Sequence, residues 1–195
     1  RVLQDMLAST GLSEALNFNF VLESDLESML LGPEACVTVS NPMSADQKYL
    51  RPTLLPNLVA NVRTNIGRGV RDVALFEIGK TFVHGDTGPC ERLSLAIILS
   101  GKAIAPNWNE PAGRDYDYFD AKGIAEQVMR FMGISGVSWE RLTLPVWHPG
   151  RSAAIVHEGR TIGRIGELHH ARCKALDMNQ RVVMMEIDGL ETLRK

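Results

Sequence analysis

The hydrophobic residues of the chain recur at two spacings, and each spacing predicts one kind of secondary structure. Intervals of three and four residues place Leu55, Leu58 and Val62 on one side of a helix. The same spacing predicts helices over residues 2–10, 55–66, 121–132 and 170–176. The third helix is predicted to begin with Asp120 as its N-terminal cap and to end at Gly133.

Segments with strand patterns lie between these helices. Alternating or continuous apolar residues predict strands over residues 16–21, 37–39, 72–83, 93–101, 152–157, 160–167 and 182–188. Residues 102–114 are predicted as a loop, Pro149-Gly150 as a turn, and residues 189–195 as the start of one more helix. Hairpins and helices mix without a regular strand–helix–strand rhythm. We therefore predict an α+β fold, an antiparallel mixed sheet flanked by helices.

Composition describes an ordinary globular chain and limits its partners. Of its 195 residues, 45% are hydrophobic and 23% are charged, and we predict one domain over residues 1–195. The net charge of −2 argues against a protein that binds nucleic acid unaided, since such proteins are usually basic. No apolar run is long enough to cross a bilayer and no signal peptide opens the chain, so we predict a cytoplasmic protein. Because Arg1 stands in place of Met, we expect a piece of a longer polypeptide.

Cysteine, histidine and glycine patterns exclude several kinds of site. Cys36, Cys90 and Cys173 are odd in number and widely spaced, which predicts buried free thiols rather than disulfides or a zinc site. The five histidines contain no HExxH motif, and we expect them to face solvent or to cap helices: His84, His148, His157, His169 and His170. The glycines form no phosphate loop, and those at 163 and 166 predict close packing or a bulge within a strand.

Two features are candidates for a functional role. Arg63, Arg68 and Arg71 lie near the end of the second predicted helix, where they are candidate phosphate or tRNA contacts. The alternative is a solvated helix end, since cations suit the negative end of the helix dipole. Glu77 interrupts an apolar strand, so it is a candidate cleft residue, and the alternative there is alternation onto a solvated face of the sheet.

Seven short motifs, in order along the chain, carry a resemblance to one protein family. They are Asn41-Pro42-Met43-Ser44, the six residues from Arg51 to Pro56, the four from Asn65 to Arg68, the five from Leu75 to Gly79, the six from Tyr118 to Gly123, the six from His148 to Ala153, and the seven from Gly163 to His169. Together they resemble the core of the β subunit of bacterial phenylalanine–tRNA ligase, with His170 in place of the family's proline.

The resemblance implies a class II aminoacyl-tRNA synthetase-like core that is catalytically silent. Class II catalytic sites hold ATP with an arginine on the strand called motif 2 and another in a glycine-rich motif 3, because a guanidinium fixes phosphate geometry. The strand that resembles motif 2 carries Glu77 and has no arginine from Val73 to Gly79, and no GxGxxR precedes the last strand. The resemblance therefore implies no catalytic, cofactor-binding or metal-binding residues in this domain, although the complete enzyme uses ATP and Mg²⁺.

The implied role is that of a scaffold. In the family this module packs against the α subunit in an α2β2 enzyme that attaches phenylalanine to tRNA(Phe), and residues 2–21 stand where the interface element, motif 1, would be. Two alternatives stay open. One is an RNA-binding module that contacts tRNA through Arg63, Arg68 and Arg71. The other is a free-standing class II ligase paralogue that adenylates a small acid.

Overall fold

Seven strands form one mixed sheet, and helices cover both of its faces. The computed structural model describes residues 1–193. The helices are α1 (Val2–Ser9), α2 (Glu23–Ser28), α3 (Leu55–Gly67), α4 (Tyr118–Phe131), α5 (His170–Ala175) and α6 (Leu190–Leu193), with 3-10 turns at Pro33–Ala35 and Ala45–Gln47. The strands are β1 (Ser13–Glu14), β2 (Phe20–Val21), β3 (Val37–Thr38), β4 (Tyr49–Leu50), β5 (Val73–Gly85), β6 (Gly88–Ser100), β7 (Lys102–Ile104), β8 (Arg114–Asp115), β9 (Val137–Arg141), β10 (Trp147–His157), β11 (Arg160–Leu168) and β12 (Val182–Ile187).

The main sheet has the strand order β1-β5-β6-β12-β11-β10-β9. All of its neighbours are antiparallel except the short pair β1 and β5, so the prediction of an α+β fold with an antiparallel mixed sheet is confirmed. The last strand, β12, lies between the long β5–β6 hairpin and the β9–β10–β11 meander. Two smaller sheets stand beside it, one of β2, β4 and β3 and one of β7 and β8.

Alternate residues of the central strands build one hydrophobic core on each face. Ile98 and Met184 point towards α3, with Leu58 and Val62 of that helix packed against them. The other face carries the larger set that packs on α1, α4 and α6, and its fully buried members include Leu95, Ile97, Leu99, Ile155, Ile165, Val183 and Met185. The continuous apolar run of β6 is therefore that of a central strand covered on both sides, as predicted.

The start of α4 differs from the prediction by one turn. Asp117, not Asp120, is the N-cap, and its carboxylate accepts hydrogen bonds from the backbone N–H groups of Phe119 and Asp120. The Asp120 carboxylate accepts from the Asp117 N–H in return and forms an ion pair with Arg114. The two acids make a reciprocal capping box, with Asp117 as the N-cap and Asp120 at the third helical position. From the sequence alone, either acid could be the cap.

Several short segments were also predicted wrongly. Within residues 16–21 only Phe20 and Val21 pair as a strand, and the ends of the predicted loop at 102–114 pair as β7 and β8. Pro149-Gly150 lies inside β10, where the register against β11 is irregular, rather than at a turn. The patterns missed β1, β4 and β9, which are two to five residues long. The helix predicted over residues 189–195 is present as α6, and residues 194 and 195 lie outside the described part.

Cysteines and glycines behave largely as predicted. All three cysteines are free, with Cys36 and Cys173 buried, but Cys90 is exposed, contrary to the prediction. A Cβ on Gly163 would lie 2.3 Å from the backbone oxygen of Glu186, so the close packing predicted for this glycine is confirmed. Within residues 1–193, the helices fall short of the length and hydrophobicity that a bilayer crossing requires.

Candidate functional site

Two of the sequence motifs meet in a buried ion pair between β4 and β5. Arg51, just after β4, and Glu77, in the middle of β5, are each almost fully enclosed, with side chains 2% and 3% exposed. Their Nη1 and Oε1 atoms are 2.6 Å apart. Arg51 also donates from Nε to the Lys80 carbonyl at 2.9 Å. Because removal of either charge would leave the other buried without a partner, the pair fixes the position of β4 against β5.

The geometry of the Arg51–Glu77 pair restricts which residues can lie next to it. A Cβ on Gly79 would lie 2.4 Å from Nη2 of Arg51, so a side chain at this position would obstruct the path of the guanidinium over the strand. The side chain of Asn17 donates to Glu77 Oε2 at 2.7 Å, and the side-chain oxygen of Asn19 accepts from Arg51 at 3.4 Å. Within the motif from Leu75 to Gly79, the residues at 77 and 79 are thus explained by their contacts with Arg51.

A second buried carboxylate joins the central strand to α3. Leu54, the N-cap residue of α3, supplies no side-chain cap. Glu186 of β12 takes that role, since its carboxylate accepts from the Leu54 N–H at 2.7 Å and from the Thr53 hydroxyl at 2.5 Å. Burial, and after it the nearby charge of Asp188, raise the pKa of Glu186 to about 7. A carboxyl group at a helix start is well placed to satisfy its free N–H groups.

β5, the strand that resembles motif 2, belongs to a sheet whose central strands are covered on both faces. β5 and β12 flank β6, and the β6 residues from Leu95 to Ser100 are fully buried. α3 covers one face, and α1, α4 and α6 cover the other. The sequence of β5 contains no arginine along its whole length, Val73–Gly85. Glu77 and Glu186 are both buried within this packing. Glu77 pairs with Arg51, and Glu186 accepts hydrogen bonds from Thr53 and Leu54.

The predicted candidate residues occupy different surroundings. Glu77 does not lie on a solvated face, so that alternative was wrong; it lies beneath Asn17, which lines a surface cavity, and a role for Glu77 at that cavity stays a prediction. Arg63 forms a 3.4 Å ion pair with Asp25 of α2. Burial raises the pKa of Asp25, and Arg63 opposes that shift. Arg68 and Arg71 are exposed near the end of α3.

The connection from β1 to β2 exposes two large apolar side chains, although its half-buried Asn17 and exposed Asn19 reach hydrogen-bond partners beneath it. Leu16 and Phe18 are 87% and 84% exposed, whereas Asn17 and Asn19 bond inwards to the Arg51–Glu77 pair. We call Leu16, Phe18 and Leu22 the apolar rim. These residues border a cavity of about 530 Å³ whose other wall includes Asn57, Ala60 and Asn61 of α3. The alternation predicted over residues 16–21 exists, but it is inverted with respect to a strand that packs on a core.

A second ion-pair cluster lies at the start of β10. Glu167 is buried at the end of β11, and its two oxygens contact Arg151 Nε at 2.9 Å and Arg181 Nε at 3.3 Å. Arg151 comes from the motif that begins at His148, and Glu167 from the motif that ends at His169. His148 accepts from the Gly150 N–H and His169 accepts from the Ala171 N–H at the start of α5. The prediction of a capping histidine is confirmed for His169, whereas His148 lies within β10 and the prediction that it packs at a turn was wrong.

Sequence reasoning did not select Glu186 or Glu167 as candidates. Glu186 had the signal that drew attention to Glu77, a single charge inside an apolar strand. Glu167 lies at the end of a predicted hairpin strand and inside one of the motifs, where its charge does not stand out. In all three cases the isolated carboxylate has a partner distant in sequence: Glu77 pairs with Arg51, Glu186 with the start of α3, and Glu167 with Arg151 and Arg181.

The arrangement of sheet and helices matches solved structures of aminoacyl-tRNA synthetases. A crystal structure of pyrrolysyl-tRNA synthetase from Desulfitobacterium hafniense aligns with 98% of this chain and 67% of its own, with a TM-score of 0.71 and 17% identity. A structure of the same organism's PylSc aligns with a TM-score of 0.70 and 18% identity. At this identity the likeness shows the fold alone. The fold is that of the class II aminoacyl-tRNA synthetases.

Sequence comparison then specifies the family within that class. Residues 1–189 match the family model described as the phenylalanyl tRNA synthetase beta chain CLM domain, and the chain belongs to this family. It is 40% identical over 194 residues to the phenylalanine–tRNA ligase beta subunit of Xanthomonas axonopodis pv. citri, and 36% identical over 188 residues to that of Symbiobacterium thermophilum. These alignments cover 97% and 93% of this chain. The chain spans 24% and 21% of the length of these two relatives.

Proposed function

We propose that this chain is a catalytically silent, single-domain core of a phenylalanine–tRNA ligase β subunit and that its role is to hold the α subunit. The complete α2β2 enzyme would attach phenylalanine to tRNA(Phe) with ATP and Mg²⁺. The observation that carries the proposal is the inverted segment from Leu16 to Phe20, which turns large apolar side chains outwards next to a cavity. Residues 2–21 are also where the resemblance places the interface element of the class.

The apolar rim has the chemistry of a permanent interface. Obligate interfaces bury large apolar areas, and a few aromatic or aliphatic anchors carry most of their binding energy. The backbone that carries Leu16 and Phe18 is held from below, because Asn17 between them bonds to Glu77 and Asn19 after them bonds to Arg51. The rim is therefore prearranged, and docking would cost little ordering of the backbone.

We expect the double substitution Leu16→Ser and Phe18→Ser to weaken association with the α subunit by about 100-fold or more, because it removes two anchors of the apolar rim. The full-length β subunit carrying both changes would be co-expressed with its α subunit, and the affinity measured by sedimentation or by mass photometry. Both side chains are exposed in the chain, so its melting temperature should not fall.

Phe119→Ser is the matched control for the interface experiment. Phe119 is 74% exposed on α4, which packs on the face of the sheet opposite to α3. The control should leave the α–β affinity unchanged. An affinity that survives the double substitution at Leu16 and Phe18, or that falls as far with Phe119→Ser, would show that the apolar rim does not hold the α subunit.

Lack of catalysis is a separate expectation. With ATP, Mg²⁺ and phenylalanine, the chain alone should show no pyrophosphate exchange above the buffer, because β5 lacks a phosphate-binding arginine and the adjacent strands are covered on both faces. The assembled α2β2 enzyme provides the positive control. Exchange above background would instead support the free-standing ligase reading.

A further inference from the structure

The end of the sheet where β5 begins gathers basic side chains from segments far apart in sequence. The pairings of Val73 with Ser100, of Ser100 with Val182, and of Trp147 with Leu168 place the ends of five strands at this edge. Residues just outside these ends are therefore neighbours in space. They include Arg71 before β5, Arg181 before β12, and Lys174 of α5, which follows β11.

A cavity of about 420 Å³ opens at this end of the sheet. Three cationic side chains line it, those of Arg151, Lys174 and Arg181, and Glu167 is the one carboxylate among its lining residues. Two imidazoles, of His148 and His170, lie in the same wall. The described residues thus give the cavity an excess of positive charge with both histidines neutral, in a chain whose net charge is −2.

The arginines are positioned, and part of their donor capacity is free. Glu167 is buried, and its two oxygens form ion pairs with the Nε atoms of Arg151 at 2.9 Å and of Arg181 at 3.3 Å, while its Oε1 atom accepts no hydrogen bond from the described residues. Among residues 1–193, the two Nη groups of Arg151 form no hydrogen bond or ion pair. The Nζ group of Lys174 forms none either within the same residues. A guanidinium whose Nε faces a carboxylate can still offer its outer N–H groups to the oxygens of a phosphate.

His148 reports the same positive environment. Burial and then the Arg151 charge lower its pKa; Glu167 opposes this shift, and His169 and His170 add to it. A bound dianion would oppose these effects and raise the pKa of His148. Gln180, which also lines the cavity, donates from its side-chain nitrogen to the Arg71 carbonyl at 2.7 Å and so ties the segment before β5 to the cavity rim.

We propose that the cavity bounded by Arg151, Lys174 and Arg181 is a binding site for a phosphate group. Either the backbone of an RNA strand or a small phosphoryl anion could supply that group, since both present non-bridging oxygens to guanidinium and ammonium donors. The site lies on different residues from the arginines at 63 and 68, and it requires no catalytic activity. Its failure would leave the scaffold role intact.

The test is a titration of the chain with inorganic phosphate at constant ionic strength, followed by the ring signals of His148 and His170 in NMR spectra. We expect saturable shifts, an increase in the pKa of His148, and no comparable effect of acetate. Arg151→Gln should weaken phosphate binding by about tenfold and Lys174→Gln by about threefold. Arg151→Gln leaves Glu167 with one partner fewer, so Lys174→Gln, at an exposed position, guards against a folding defect.

Lys48→Gln is the matched control, because it removes the same charge at an exposed position just before β4. The small sheet that contains β4 lies at the other end of β5, where His84 contacts the Cys36 carbonyl. Displacement of phosphate by a short duplex RNA, with binding that weakens steeply as salt rises, would assign the site to RNA. Phosphate binding that RNA does not displace would assign it to a small phosphoryl anion. Absence of both responses, equal shifts with acetate, or an equal loss with Lys48→Gln would overturn the proposal.

Discussion

Arg51→Met will lower the free energy of unfolding by about 3–5 kcal/mol, because it leaves the Glu77 carboxylate buried with no cation. Methionine keeps most of the length of the side chain, so the loss reports the charge more than the volume. The Arg51 bond to the Lys80 carbonyl is lost as well. Since small domains are stable by about 5–15 kcal/mol, this single change would remove roughly a fifth or more of the total.

Urea unfolding of the parent and variant chains measures this effect as a shift of the midpoint at an unchanged slope. Arg68→Met is the matched control at an exposed position and should change stability by no more than about 0.5 kcal/mol. The double variant Arg51→Met with Glu77→Gln removes the stranded charge, so it should recover part of the loss. A loss below about 1 kcal/mol for Arg51→Met would mean that the pair is not what holds β4 on β5.

Glu186 should make the chain less stable as the pH rises from about 4.5 to 7. The pKa of its carboxyl is about 7 in the folded chain, above the ordinary value of 4.5, so the folded state binds the proton more tightly. The stability contributed by this proton is complete below pH 4.5 and is lost as the pH rises through 7. The full difference is on the order of 3 kcal/mol.

Glu186→Gln would test this dependence, because glutamine can still accept from the Leu54 N–H but cannot ionise. The variant should flatten the fall in stability between pH 5 and pH 8, as measured by urea unfolding across that range. Glu140→Gln, at an exposed residue of β9, is the matched control and should keep the parent's slope. A parent chain with equal stability at both pH values, or a Glu186→Gln variant with the parent's slope, would contradict the assignment.

The parts of the fold that the sequence predicted are the long periodic ones. α3, α4, β5, β6 and β12 each repeat their pattern over enough residues to outweigh local accidents. The failures are short segments whose conformation depends on a distant partner. Residues 16–19 carry a strand pattern, yet Asn17 and Asn19 are held by Glu77 and Arg51. No local pattern contains that information.

The candidate sites show the same division. A lone carboxylate in an apolar strand was a valid signal at Glu77, but the sequence does not say whether such a group faces a ligand or an internal cation. The motifs contained both halves of the Arg51–Glu77 and Arg151–Glu167 pairs without indicating that they pair. The family resemblance related these segments to one another, because it depends on the order of the motifs along the whole chain. Hydrophobic periodicity describes one segment at a time and cannot relate two distant ones.

The cap that Glu186 places on α3 has a consequence for synthesis on the ribosome. The cap joins residues 132 positions apart, and β12, which carries it, is also the strand that joins the β5–β6 hairpin to the β9–β10–β11 meander. At translation rates of 5–20 residues per second, α3 would wait roughly 7–26 seconds for its cap. During that time the two halves of the sheet have exposed edges, which makes the nascent chain a natural client of chaperones until its last strand emerges.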